Sequence, residues 1–183
     1  MNPIVETLQR RIAGRSIDPE ALPPEIVTEL LEAARLTPSC YNKQPWRFLV
    51  LQSKEAREKG NKALSAGNQP WAGRAPLLIF AYARAEDDCQ IPDGREYFQF
   101  DLGMAVMNLM LAATARGLVA RPMAGFDPEA VKRTFGLEAA DRVLAAIAVG
   151  RPSSDESHLP AHFVGLDKKP RERKPAEAIA KVL

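Results

Sequence analysis

Cysteine and histidine are scarce in this sequence: two of each among 183 residues, at Cys40, Cys89, His158 and His162. The cysteines could pair, but so few in a chain without a secretory signal argue for reduced thiols in the cytoplasm. The N-terminal MNPIVETLQRR is polar and periodic, with neither the apolar run nor the small-residue cleavage site of such a signal. No stretch approaches the roughly 18 consecutive apolar residues of a bilayer-spanning helix, so no membrane segment is expected. The histidines lie four apart with Pro160 between them, which argues against a helix presenting both to a metal. They are expected in solvent or at a subunit contact, with no metal site, and a Ser-His-Asp triad has little support. Glycine-rich phosphate loops are also missing, since neither GxGxxG nor GxxxxGK[ST] occurs. Charge of one sign is lacking as well: 25 Lys and Arg against 23 Asp and Glu leave a formal net charge of +2, which suggests no nucleic-acid surface.

What is present is enough apolar sequence, 46% of residues, to bury a sizeable core in one domain spanning residues 1–183. Ile4, Leu8 and Ile12 recur at helical spacing, so the first dozen residues read as an amphipathic helix stopped by Gly14. A second helix follows Leu22, with Pro23 and Pro24 suited to its first turn, and ends at Thr37-Pro38. WRFLVL from Trp46 and the run from Leu77 to Ala83 read as buried strands, and Val143 to Val149 as a third. Residues 96–116 form a long central helix with a broad apolar face before Gly117. Asp127-Pro128 opens a short helix that Gly136 closes. After Gly150 the composition changes, and residues 151–183 read as an extended C-terminal arm.

Three features could carry chemistry. Arg10-Arg11 stand at a helix end, the loop PSCYNKQPW runs from Pro38 to Trp46, and the basic tail KKPRERK runs from Lys168 to Lys174. Alone, each reads as an ordinary helix terminus, turn or solvated surface. In this order they carry a resemblance over nearly the whole chain to the nitroreductase family of FMN enzymes. EAARLTPSCYNKQPWRFLVL is its strongest part, supported by FQFDLGMAVMNLMLAATARGLVARPMAGF and by IAVGRP with the basic tail.

The resemblance implies an α+β fold, a mainly antiparallel central sheet flanked by helices, in an intertwined homodimer with shared active sites. It implies FMN as cofactor and NAD(P)H as electron donor. Hydride would pass to small electron-poor acceptors, such as nitroaromatics or quinones, by a ping-pong mechanism. Specialised relatives that dehalogenate, reduce activated alkenes or cleave flavin stay as alternatives, as does a flavin-binding protein without turnover. On this reading Arg10 holds the FMN phosphate, joined by Arg173 or Arg171 from the tail, because the rigid guanidinium fork binds phosphate in bidentate fashion. Pro38, Ser39, Cys40 and Asn42 contact the isoalloxazine from the partner subunit. The loop Pro122, Met123, Ala124, Gly125 lies beside the flavin's reactive edge, with a backbone N–H near Ala124 or Gly125 directed to N5, and Asn68 serves the polar edge of the ring. No side chain is assigned a catalytic role, Cys40 included, since flavin N5 carries the chemistry. The chain departs from the family pattern at Ile12 and Gly14, where a serine and a basic residue are usual. Arg11 or Arg15 is then the candidate for the cation near N1 and O2.

Overall fold

In the computed structural model, which describes residues 2–183, the chain forms four strands and six α-helices joined by short 3-10 turns. Helix α1 (Pro3–Arg10) is capped by Asn2, whose Oδ1 accepts the Ile4 N–H at 2.9 Å, and Pro3 occupies the first turn, where no donor is needed. It ends at Arg11, short of the expected stop at Gly14. The chain leaves the helix there because the carbonyls of Arg11 and Ala13 bond Arg171 and Arg121. Helix α2 (Pro24–Arg35) buries Val27, Leu30 and Ala34 and stops before Thr37-Pro38, as the sequence predicts.

Strands β1 (Trp46–Leu51), β2 (Leu77–Arg84), β3 (Val119–Met123) and β4 (Asp141–Gly150) pair antiparallel in the order β1-β2-β4-β3. Strand β3 is the unexpected one. Pro122 and Met123, read from sequence as loop, belong to it, because an edge strand tolerates the missing N–H of proline. Two further helices escaped the sequence reading. In α3 (Lys54–Lys62) only Gly60 is buried, so no apolar stripe marks it, and α4 (Gln69–Ala72) is a single turn. Helix α6 (Pro128–Phe135) follows the expected pattern: Asp127 accepts the N–H groups of Glu129 and Ala130, and Gly136 ends the helix with φ +66°.

The sheet separates two cores. On one face Leu77, Ile79, Ala81 and Ala83 meet α2 and the long helix α5 (Phe98–Ala115), with Trp46 among them. On the other, Leu78, Phe80, Ala146 and Ala148 meet Trp71, Val131, Val119 and Met123. Each fully buried large aliphatic side chain contributes roughly 1.5–3 kcal/mol by transfer from water. The 18 residues of α5 have a mean hydropathy of 1.2, and among the described helices it alone has the length and composition to cross a bilayer. It is a core helix: Leu102, Ala105, Leu109 and Ala113 pack on the sheet. Its opposite side is also apolar and less covered, with Phe100 55% exposed and Leu111 beside Ile4 of α1.

The arm after Gly150 is less detached than its composition implies, since Leu159 is buried and Phe163 packs against the core. His158 corrects an expectation too. Both its ring nitrogens are buried without partners among the described residues, whereas His162 is exposed. Burial, then the nearby Arg74, hold the His158 imidazole below its ordinary pKa, with Asp155 opposing them. The folded state therefore binds fewer protons here than the unfolded state. This contribution to stability is complete above about pH 6.5 and is lost as pH falls below that value toward the depressed folded-state pKa. The Tm of the parent is expected to drop between about pH 7 and about pH 5.5 more steeply than that of His158→Gln. Equal slopes in differential scanning fluorimetry would refute the assignment.

Candidate functional site

The end of α1 and the basic tail, far apart in sequence, meet in one cleft. Arg11, Ile12, Ala13, Gly14, Leu166, Asp167, Lys169, Arg171 and Arg173 line a volume of about 260 Å³. The guanidinium of Arg171 bonds the carbonyls of Gln9 and Arg11, which fixes the tail against the C-terminal end of α1. Cations are favoured at such an end by the helix dipole. The Arg11 guanidinium is held below its usual pKa by partial burial and by the charges of Arg171 and Arg173, the signature of like charges crowded together. The one carboxylate in the lining, Asp167, is bonded elsewhere. The cleft is thus shaped for an anion with several acceptor oxygens. Arg10, the sequence's first choice for that role, is exposed at the last position of α1 and is not part of the lining.

Arg15 is occupied. Its backbone N–H and its Nη1 both bond Asp167, the latter at 3.0 Å, and its guanidinium lies 4.2 Å from the centroid of the Phe163 ring. This pairing could not be read from the residues alone, since the partner lies 152 residues away. Arg121 on β3 is the residue that sequence reasoning missed. It sits on the face of the sheet shared with Trp71, its guanidinium 5.4 Å from that ring, and its Nη1 bonds the Ala13 carbonyl at the wall of the cleft. Its Nε is buried with no partner among the described residues, and burial followed by Arg15 lowers its pKa, with Asp167 opposing. A half-buried arginine with an unused donor is costly unless something accepts it. A basic residue interrupting a short apolar run, just before Pro-Met, was the available signal.

From Arg121 the strand runs directly into Pro122, Met123, Ala124 and Gly125. Asn68 Nδ2 donates to the Gly125 carbonyl at 3.0 Å and the Ser65 N–H to the same oxygen at 2.9 Å, so Asn68 and Gly125 are brought together as a clamped turn. A Cβ on Gly125 would lie 2.6 Å from Ser65 Oγ and 2.7 Å from Asn68 Nδ2, so a side chain there would have to displace both. The N–H groups of Ala124 and Gly125 lie past the last ladder pair, Met123 with Ala146, and donate to no group among the described residues. The Arg121–Ala13 bond ties the cleft wall to this edge of the sheet, and the chain leads on from Arg121 to the free amides and the turn that Asn68 clamps.

The loop 38–44 stands apart, at the head of α5. Pro38 and Asn42 are exposed, Ser39 Oγ accepts the Gln44 N–H at 2.9 Å, and the Cys40 N–H donates to Asp101 Oδ2 at 3.0 Å. Tyr41, Asn42 and Gln44 have φ of 49°, 56° and 50°, in the left-handed region that non-glycine residues avoid at a cost of order 1 kcal/mol each. The expectation of two thiols is corrected here. Cys40 and Cys89 are joined in a disulfide, their Cα atoms 5.9 Å apart, because the fold brings the turn before α5 against this loop.

The sequence profile of the nitroreductase family matches residues 8–67 and 60–151. An NAD(P)H nitroreductase by name, YdgI of Bacillus subtilis, is 31% identical over 75% of this chain and 82% of its own length. A Thermus thermophilus protein named NADH dehydrogenase is 29% identical over 91% of this chain and 95% of its own. A crystal structure described as an oxidoreductase containing FMN superposes with a TM-score of 0.86, at 27% identity, over 99% of this chain and 90% of that one. A nitroreductase from Exiguobacterium sibiricum, solved with FMN, shares the fold with a TM-score of 0.83 at 22% identity over 100% and 98% of the two chains. With its basic cleft and clamped Pro-Met-Ala-Gly turn beside a four-stranded antiparallel sheet, the chain belongs to the nitroreductase family.

Proposed function

We propose that the chain is an NAD(P)H-dependent FMN oxidoreductase working as a homodimer, its whole length acting as one domain with residues 151–183 as the arm. The observation that carries this is the convergence of Arg11, Lys169, Arg171 and Arg173 on a cleft whose only carboxylate is already paired. A dianionic phosphate answers that charge, and arginine forks bind it in bidentate fashion. The FMN in the related crystal structures and the NAD(P)H in the names of the relatives support the choice. FMN, when bound, supplies a two-electron carrier that takes hydride from a nicotinamide and returns it to an electron-poor acceptor.

The rest of the edge suits the other end of that cofactor. The unused amides of Ala124 and Gly125 are donors that offer no competing acid, and Asn68 holds their turn in place. Arg121 is the cation for the electron-rich edge of the ring, a role for which Arg15, tied to Asp167, is unsuited. Pro38, Ser39, Cys40 and Asn42 would complete the site of the partner. The uncovered apolar side of α5, with α1, is the surface suited to that pairing. The purified protein is expected to be yellow, to release FMN rather than FAD on acid treatment, and to bleach anaerobically with NADH or NADPH. Parallel double-reciprocal plots with a quinone or nitroaromatic would establish ping-pong transfer. A colourless protein that takes up no flavin on reconstitution would overturn the reading, and a yellow one that does not bleach would make it a carrier without turnover.

Arg121 has its own test. Replacing it by Met keeps the stem over Trp71 but removes the charge. The two-electron potential of the bound flavin is expected to fall by about 30–60 mV, the equivalent of roughly 1.4–3 kcal/mol, with a smaller effect on FMN affinity. An unchanged potential in a xanthine oxidase titration would return Arg121 to a packing role.

A further inference from the structure

The bond between Cys40 and Cys89 joins two segments 49 residues apart, the loop 38–44 and the turn before α5. Both cysteine amides are anchored on buried carboxylates. The Cys40 N–H donates to Asp101 Oδ2 at 3.0 Å and the Cys89 N–H to Asp88 Oδ1 at 2.7 Å, while Asp101 and Asp88 are 0% and 6% exposed. Asp101 Oδ1 is buried without a partner among the described residues. The two cysteines differ in access, Cys89 being 3% exposed and Cys40 only half-buried. The loop that Cys40 holds is the one with three left-handed residues, a conformation that persists only while the surroundings impose it. A disulfide with one cysteine only half-buried is open to thiol exchange, whereas fully buried structural bonds resist it.

We propose that Cys40–Cys89 is a redox-active dithiol–disulfide couple that takes electrons from an external dithiol and latches the loop 38–44. That the latch acts on flavin binding rests on the function proposed above. In the flavin-free protein a thiolate of the dithiol attacks Sγ of Cys40, the more exposed of the two cysteines. A sulfur–sulfur bond to Cys40 forms as the Cys40–Cys89 bond breaks, and Cys89 leaves as thiolate. The second sulfur of the dithiol then closes on the first and expels Cys40. Two electrons pass to the protein, the dithiol becomes a disulfide, and its two protons end on Cys40 and Cys89. Burial and the charge of Asp88 hold the Asp101 carboxyl above its usual pKa, although the Cys40 N–H opposes them. Once reduced, the loop keeps the Asp101 and Ser39 hydrogen bonds but loses its covalent tie.

The test is thiol counting by alkylation and mass spectrometry on the full-length protein, together with FMN titration by fluorescence quenching. Air-oxidised protein is expected to show no thiol after denaturation. After native treatment with dithiothreitol it should show two, appearing together, and its FMN affinity should be several-fold weaker. Cys89→Ser should match the reduced parent in FMN affinity with or without dithiothreitol, and its Cys40 should gain one glutathione from oxidised glutathione. Two free thiols in the air-oxidised protein, or a bond that yields only after unfolding, would overturn the couple. Equal FMN affinity in the two redox forms would overturn the latch. The thiol count needs no flavin, so a protein that binds no FMN refutes the functional reading alone.

Discussion

Arg11→Ala is expected to bind FMN about 30- to 1000-fold more weakly than the parent, a cost of roughly 2–4 kcal/mol for removing a charge-assisted partner from a partly desolvated dianion. Arg10→Ala should lose much less. The family resemblance alone puts the phosphate on Arg10, but Arg10 is exposed and Arg11 lines the cleft with Lys169, Arg171 and Arg173. Titration of the two apoproteins with FMN separates these positions. An Arg10→Ala loss as large as that of Arg11→Ala would return the phosphate to Arg10. The apoprotein should also respond without flavin. Arg11 is crowded by Arg171 and Arg173, so inorganic phosphate should raise the Tm of the parent apoprotein and raise that of Arg11→Ala less. Salt should weaken FMN binding, because the cleft is open to screening ions.

Leu111→Asp is expected to abolish dimerisation and stoichiometric FMN binding together. Leu111 lines a shallow apolar depression with Pro3, Ile4, Thr7, Ala112 and Ala115, on the side of α5 that turns away from the sheet. Ile4 is 65% and Phe100 55% exposed along the same side, an apolar surface that an isolated chain would show to water. A carboxylate placed there stays hydrated in the monomer, so the fold should survive. Burying it against a partner would cost several kcal/mol, enough to weaken association by more than about 1000-fold. If the partner's loop 38–42 completes each site, FMN should leave as the dimer separates. Sedimentation at several concentrations, followed at the flavin absorbance, tests the linkage. A folded Leu111→Asp monomer that retains one FMN per chain would refute the shared site.

Much of the architecture was legible in the residues because the signals are local. Pro24 and Pro38 bracket α2, Asp127-Pro128 and Gly136 bracket α6, and the apolar runs after Pro45 and Pro76 are β1 and β2. The elements that escaped lack such signals. The charged α3 buries only Gly60, and β3 carries Arg121 and Pro122, which an edge strand accepts and a central strand would not. The motifs around Pro38 to Trp46 and Pro122 to Gly125 were recognised from their order along the chain, and the second proves to be the end of a strand running into a clamped turn.

By itself the sequence determined the ends of α2 and α6, the apolar strands and the residue types available for an anion and a flat heteroaromatic ring. Tertiary structure decided which of those residues act together, because pairing depends on distance in space. Arg15 is paired with Asp167, 152 residues away, and Arg121 keeps a buried Nε with no partner among the described residues. Arg171 came to rest on the end of α1 across 160 residues, and Cys40 met Cys89 across 49. Hydrogen bonds, close ion pairs and covalent closure need groups within a few ångströms of each other, and the antiparallel sheet and returning arm set that separation.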